Sequence, residues 1–334
     1  VVLTASLFAF GAMLLLDLTW LEGLLLGSIV GSTDAAAVFF LLRIGGINIR
    51  DQVRSTLEVE SGTNDPMAIF LTIALVEVLA SGEGISGLNA DFLMLFIEQM
   101  ALGLIFGLLG GMMIVWILNR FTSDRSLAPI FALALGLLVF AFTGAIGGSG
   151  FLAVYVAGIY SGNRKIFARE AIARFHAGLT WLAQIIMFIV LGLLATPSQF
   201  PSIAIPAILL GLFLVFIARP LAVWLSLLPF QMTQQETGFV AWVGLRGAVS
   251  ILLAILPLLG GMENGLLFFN TAFIIVMVSL VLQGWTIKPV ARKLGLIIPP
   301  RMGEVDKIEL DLPGKSTHEL ISYRVMKESP VLRG

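Results

Sequence analysis

Four clusters of polar residues lie inside stretches that are otherwise almost wholly apolar, and each could do chemistry. The first is Gly31-Ser32-Thr33-Asp34, an acid preceded by two hydroxyl residues and a glycine. The second is Glu60-Ser61-Gly62-Thr63-Asn64-Asp65. The third is Arg219, beside Pro220 in FIARPL, and the fourth is Gly244-Leu245-Arg246-Gly247-Ala248-Val249-Ser250. A charge at the centre of a bilayer costs about 2.5–3.5 kcal/mol on insertion scales, so residues of this kind mark ion or proton pathways. On a helix, Ser61 and Asp65 are four apart and share a face. Glu60 and Asn64 form the neighbouring pair, about 100° round. One face offers a carboxylate and a hydroxyl to a solute, and the other offers a carboxylate to the protein.

The same residues say what must position them. Glycine, two hydroxyls and an acid make a poor helix centre, so a break is expected at 31–34. The carbonyl oxygens that it frees suit a hard monovalent cation. The alternative is an unbroken helix whose polar stripe lines a water-filled pocket. Arg219 needs an acid in low dielectric; Glu60 and Asp65 are the candidates, with Glu60 preferred. Glycines flanking Arg246 predict a second break. Arg246 could neutralise the carbonyl ends of broken half-helices or contact Asp34.

The rest of the chain fits a membrane setting. Of 334 residues, 58% are hydrophobic and 12% charged, against roughly 25% charged in soluble domains. The mean hydropathy is +1.00. Apolar runs fall near 1–16, 20–42, 55–80, 92–118, 127–144, 148–163, 177–195, 202–229, 237–259 and 266–287, ten candidate spans. Most approach the ~20 residues a crossing needs. Lys and Arg alternate between loops: Arg43, Arg50 and Arg54, then Arg120 and Arg125, then Arg164, Lys165, Arg169 and Arg174, then Lys288, Arg292, Lys293 and Arg301. The intervening loops carry neither, which predicts that the basic loops and the C-terminal tail face the cytoplasm. The second span then runs inward and the ninth outward, so the two breaks lie in oppositely directed helices, the mark of an inverted repeat. Residues 295–334 hold 12 of the 41 charged side chains, which separates a tail from a membrane domain at 1–294. The first run opens without methionine or a charged leader, so further helices are expected upstream.

Other features have plainer readings. Gly103, Gly107 and Gly111, and the pairs Gly27/Gly31 and Gly158/Gly162, are spaced for close helix packing. Residues 164–175 read as an amphipathic segment on the membrane surface. Asp17, Glu22, Glu77 and Glu98 read as interfacial or packing residues. A net charge of −1 leaves no basic surface for nucleic acid. The absence of cysteine excludes disulfides and thiolate chemistry in this stretch, and two distant histidines, His176 and His318, do not make a zinc or haem site.

STDAAAV at 32–38, ESGTNDPMAI at 60–69, FIAR at 216–219 and GLRGAVS at 244–250, in this order, resemble the NhaP-type branch of the cation/proton antiporters, relatives of the sodium/proton exchangers. The resemblance implies an all-α polytopic membrane bundle with inverted repeats and two discontinuous crossing helices. It places the essential aspartate on Asp65 and its partner acid on Asp34. Cation contacts fall on the Thr33 carbonyl, Asp34, Ser61, Asn64 and Asp65. A structural ion pair falls on Glu60 and Arg219, and Arg246 lies on the second crossing helix. No cofactor is implied, and the only metal is the transported monovalent cation. Residues 308–334 resemble the opening of the small α/β ligand-binding domain (RCK C-terminal or TrkA-C type) carried by bacterial potassium/proton antiporters of this branch. That implies K⁺ ahead of Na⁺, H⁺ as the counter-substrate, a small-molecule ligand at the tail, a homodimer surrounded by lipid, and residence in a bacterial inner membrane. Asn64 in place of an acid before Asp65 goes, within this superfamily, with electroneutral exchange.

Two rival classes were weighed against antiport. An intramembrane aspartyl protease would use Asp34 and Asp65 as a dyad, but it leaves Arg219 and Arg246 unexplained. A passive cation channel would conduct without proton coupling. No phosphate-binding loop is present, so no nucleotide is expected to drive the cycle.

Overall fold

The computed structural model describes residues 1–82, 90–121 and 124–298, together with the short segments 306–307 and 321–322. Its elements in chain order are α1 (Val2–Leu16), α2 (Trp20–Ile29), α3 (Ala35–Ile44), β1 (Asn48–Ile49), α4 (Asp51–Ser81), α5 (Ala90–Phe121), α6 (Ala128–Ala145), α7 (Gly150–Gly162) and α8 (Arg169–Leu194). There follow α9 (Phe200–Phe213), a π-helical turn (Leu214–Ala218), α10 (Arg219–Leu227), α11 (Gln234–Trp242), α12 (Ala248–Leu253), α13 (Ile255–Leu259), α14 (Gly265–Lys293) and β2 (Ile297–Ile298). A last antiparallel pair, β3 (Asp306–Lys307) with β4 (Ile321–Ser322), is all that is described of the tail. The assignment of 308–334 to a regulatory domain otherwise lies outside the described residues.

The protein is an all-α polytopic membrane bundle. Among the described residues, six helices are long and apolar enough to cross a bilayer unaided: α4, α5, α6, α8, the run from 197 through α10, and α14. The other four runs read from the sequence are shorter or interrupted. A bend of 119° turns α1 back into α2. Thr19 caps α2 there in a reciprocal box with Glu22. The pair α2–α3 makes one interrupted crossing. Glu22, in the first turn of α2, accepts a 2.9 Å bond from Asn264, which caps α14. Beyond the exit of α3, β1 pairs antiparallel with β2, just past the end of α14. The broken helix therefore accompanies all 29 residues of α14, a length of ~43 Å at 1.5 Å per residue. The sequence α11–α12–α13 runs the opposite way. Glu236 near its start is bridged to Arg50 at 3.2 Å, beside β1, and Leu258 near its end packs on Gly265 at the start of α14. The two interrupted helices are thus antiparallel, as an inverted repeat requires.

Buried side chains separate two bundles. One core joins α1, α2, α4, α9 and α12–α14 around Phe8, Leu25, Leu210, Phe268 and Ile275, takes in Leu191 from the end of α8, and is followed by a second cluster around Val38, Val53, Phe239 and Ile287. A third, smaller one lies between α5, α6 and α7, around Ile114, Leu118, Val139 and Ala157. A Cβ at Gly103, Gly107 or Gly111 would meet α7 at 2.9, 2.8 and 2.9 Å, so those glycines let α5 and α7 touch. Gly27 does the same for α1 and α2, against the Ala5 carbonyl. The reading is corrected at Gly158 and Gly162, where nothing lies within 4 Å. It is corrected also at 164–175. Helix α8 begins at Arg169 and runs unbroken to Leu194, so residues 169–175 are its first turns and not a separate surface segment. The charged start of a long helix and an amphipathic surface helix present the same local pattern.

Candidate functional site

Helix α2 ends at Ile29 and α3 begins at Ala35; α11 ends at Trp242 and α12 begins at Ala248. The two gaps lie against each other. The Asp34 N–H donates to the Leu245 carbonyl at 2.9 Å. Arg246 Nη1 donates to the carbonyls of Gly31 at 2.6 Å and Ser32 at 2.9 Å. Those oxygens lie just past the carbonyl end of α2, where partial negative charge collects, and a buried guanidinium neutralises it. Of the two partners open to Arg246 in the sequence, the structure chooses the half-helix end over Asp34. The freed backbone of the second gap is held by α14: the Arg246 N–H donates to Ser279 Oγ at 3.1 Å, and Gln283 Nε2 donates to the Trp242 carbonyl at 2.6 Å. Glycine is needed by space at 244 and 247, since a Cβ would enter the Arg219 side chain at the first and the Asp34 carboxylate at the second.

Helix α4 brings its polar face to this crossing. Asp65 Oδ1 accepts from the Ser32 hydroxyl. The Ser61 hydroxyl donates to the Thr33 carbonyl at 2.8 Å and accepts from the Ala35 N–H at 3.4 Å. Asn64 Nδ2 donates to Thr33 Oγ1 at 3.1 Å and to Glu60 Oε1 at 3.4 Å. Pro66, next to Asp65, has no N–H to offer the preceding turn, which loosens α4 at the level of the site. Asp34 itself caps α3: its Oδ1 accepts from the Ala37 N–H at 2.9 Å, and its Oδ2 accepts from Gln184 Nε2 at 2.9 Å. Ser61 and Asn64 are therefore hydrogen-bonded to Thr33 in the first gap, Asp65 to Ser32 in the same gap, and Asp34 closes the gap as the cap of α3.

Behind that gap lies an ion pair. Arg219 Nη1 and Nη2 donate to the two Glu60 carboxylate oxygens at 2.8 and 3.2 Å, a fork-to-fork geometry. Arg219 is 2% exposed. It follows the π-helical turn Leu214–Ala218, which shifts the register of the helix by one residue just before the arginine. Its remaining donors reach the carbonyls of Val240 at 3.0 Å and Ala241 at 3.2 Å, at the end of α11. Arg219 thus does for α11 what Arg246 does for α2. A cavity of about 420 Å³ borders Glu60 and Asn64, lined also by Thr56, Thr63 and Ser226.

Sequence reasoning missed Ser32 as a donor to Asp65, Gln184 as a partner of Asp34, and Ser279 and Gln283 as supports of the second gap. Unwound backbone has no helical period, so the direction of Ser32 could not be read. A lone amide in the apolar run 177–195 was the available signal for Gln184.

With this geometry in place, comparison with known proteins is direct. Residues 1–293 match the family described as "Sodium/hydrogen exchanger, transmembrane". The chain is 45% identical over 333 residues to the K(+)/H(+) antiporter NhaP of Alkalimonas amylolytica, covering 99% of this chain and 58% of that protein. It is 43% identical over 325 residues to the K(+)/H(+) antiporter NhaP2 of Shewanella oneidensis, covering 97% and 56%. The sodium proton antiporter MjNhaP1 of Methanocaldococcus jannaschii, solved at pH 8, superposes with a TM-score of 0.72 at 25% identity, over 88% of this chain and 76% of that one. The chain belongs to the sodium/hydrogen exchanger family, within its transmembrane part. It spans somewhat more than half the length of the bacterial relatives it matches, 58% and 56% for these two.

Proposed function

We propose that the protein is a secondary antiporter that exchanges a monovalent cation for a proton across a bacterial inner membrane, with K⁺ preferred to Na⁺. The observation that carries this reading is the meeting of two oppositely directed, interrupted helices beside Asp65 and Asp34. Opposed gaps supply carbonyl oxygens and carboxylates at one depth, and two arginines cancel the half-helix charges that such gaps create. The preference for K⁺ rests on the similarity to two proteins named K(+)/H(+) antiporters.

The chemistry is competition at one site. The Asp65 carboxylate, oriented by Ser32, holds either the cation or a proton. Asp34, the Thr33 carbonyl and Ser61 complete the cation's shell, and Asn64 orients Thr33. Protonation removes the charge that holds the cation, and cation binding displaces the proton. The bundle of α1–α4 with α9–α14 carries the site and moves against α5–α8, exposing it to each side in turn. Glu60 and Arg219 hold α4 to α10 and α11. The basic loops and the tail after residue 294 lie on the cytoplasmic side, and the tail opens a small ligand-binding domain. The working form is a homodimer in lipid.

The test is transport in everted vesicles by the full-length protein, with K⁺, Na⁺ and Li⁺ supplied against an imposed pH gradient. Cation-dependent collapse of the gradient, strongest with K⁺, is expected. Cation flux that leaves the gradient intact would be a channel's behaviour and would end the antiport reading.

A further inference from the structure

The site lies at the seam between the two bundles, and a few side chains cross that seam. One is Gln184, on α8. It is the sole polar side chain between Thr180 and Thr196, and its amide donates to Asp34 Oδ2 at 2.9 Å. Asp34 Oδ1 accepts from the N–H of Ala37 within α3, so the Gln184 amide sits on the oxygen that does not serve the helix cap. One turn earlier on α8, Trp181 packs at a tilt of 50° on Phe40 of α3, with ring centroids 3.7 Å apart. Residues 181 and 184 share a helix face, so α8 presents an aromatic ring and an amide together to the start of α3. The ring contact is adaptable packing. The amide contact is specific to one register, because a 2.9 Å hydrogen bond does not survive a shift of one bundle past the other.

We propose that Gln184 is a positioning residue of the exchange site: its amide holds Asp34 in this register of the two bundles and competes with the cation for the same carboxylate oxygen. Each time the cation takes Asp34, or the bundles slide, this bond is given up. The proposal rests on the exchange reading above and goes beyond it by assigning a cation-competing group to α8, which carries none of the acids of the site.

The experiment uses the purified full-length protein and reads two quantities: the half-saturating K⁺ or Na⁺ concentration for thermal stabilisation against choline, and the same constant for proton-coupled exchange in liposomes. Gln184→Leu removes the competitor and should lower both constants about tenfold, the effect of roughly one hydrogen bond to a charged group. The maximal rate should not fall, since the bond that is broken in each cycle is gone and the Asp65 chemistry is intact. Gln184→Asn, one methylene too short to reach, should behave like Leu and serves if Leu fails to insert. Gln184→His, whose Nε2–H reaches as far, should return the constants to near the unaltered value. Trp181→Ala should lower stability without moving either constant, which separates packing from competition. Constants unmoved or raised in both Gln184→Leu and Gln184→Asn would overturn the proposal while leaving antiport standing. An unaltered protein that shows neither cation stabilisation nor exchange would instead remove the exchange reading itself.

Discussion

At the scale of single residues, the site divides into groups that exchange and groups that hold. Asp65→Asn keeps the shape and the bond from Ser32 but removes the titrating charge. Proton-coupled cation flux in vesicles should fall to background while the protein still folds and inserts; flux that persists would move the exchange role to another acid. Glu60 belongs to the holding set. Glu60→Ala strands Arg219, 2% exposed, in low dielectric and should cost about 3–5 kcal/mol. Adding Arg219→Ala should recover part of that loss in the thermal midpoint, though not all, because Arg219 also serves the carbonyls of Val240 and Ala241. Simple additivity of the two losses would argue against a coupled pair. These residues were legible because charge in an apolar run needs a reason. Helix period alone separated Ser61 and Asp65 from Glu60 and Asn64. Less legible were hydrogen bonds set by irregular backbone or by another bundle. Asn64, paired with Glu60 by helix period, does donate to Glu60, but its second bond, to the Thr33 hydroxyl in the first gap, had no signal in the period.

At the scale of elements, the interrupted helices were readable from composition, since glycine and small polar residues at mid-span favour a break over a continuous helix. What sequence pattern did not carry was the support that each gap needs. Two carbonyls just past the end of α2 and two in the last turn of α11 find guanidinium partners. The remaining backbone groups of the second gap lean on Ser279 and Gln283, one turn apart on α14, whose side chains also bond each other at 2.5 Å. Gln283→Leu should therefore leave the Trp242 carbonyl and the Ser279 hydroxyl short of partners, a loss of about 1–3 kcal/mol. The drop should appear in the thermal midpoint in detergent. An undiminished midpoint would mean that water replaces the amide and that α14 does not brace the gap. The count of crossings was also only partly accessible. Among the described residues six helices are long enough to cross unaided, because the crossings that build the two gaps are made of short pieces.

At the scale of the whole molecule, the proposed exchange site sets an expected stoichiometry. Asn64 is a neutral amide and cannot carry a second proton beside Asp65. Exchange should therefore be one for one, and its rate in liposomes should be the same at zero and at strongly negative membrane potential. A rate that follows the potential, or a turnover current on a supported membrane, would show more than one proton moving per cation. The guanidinium of Arg246 gives the same architecture a second consequence, for slippage. Glu60 and Arg219 cancel, which leaves Asp34, Asp65 and Arg246 to define the charge of the crossing. Loaded with one cation or one proton, that trio sums to zero; empty, it carries one uncompensated negative charge. Sliding an uncompensated charge through the low-dielectric seam is disfavoured by several kcal/mol. For the antiport proposed above, the vacant form would then be the one least able to change sides, and a leak of either ion down its own gradient would be suppressed without any gate.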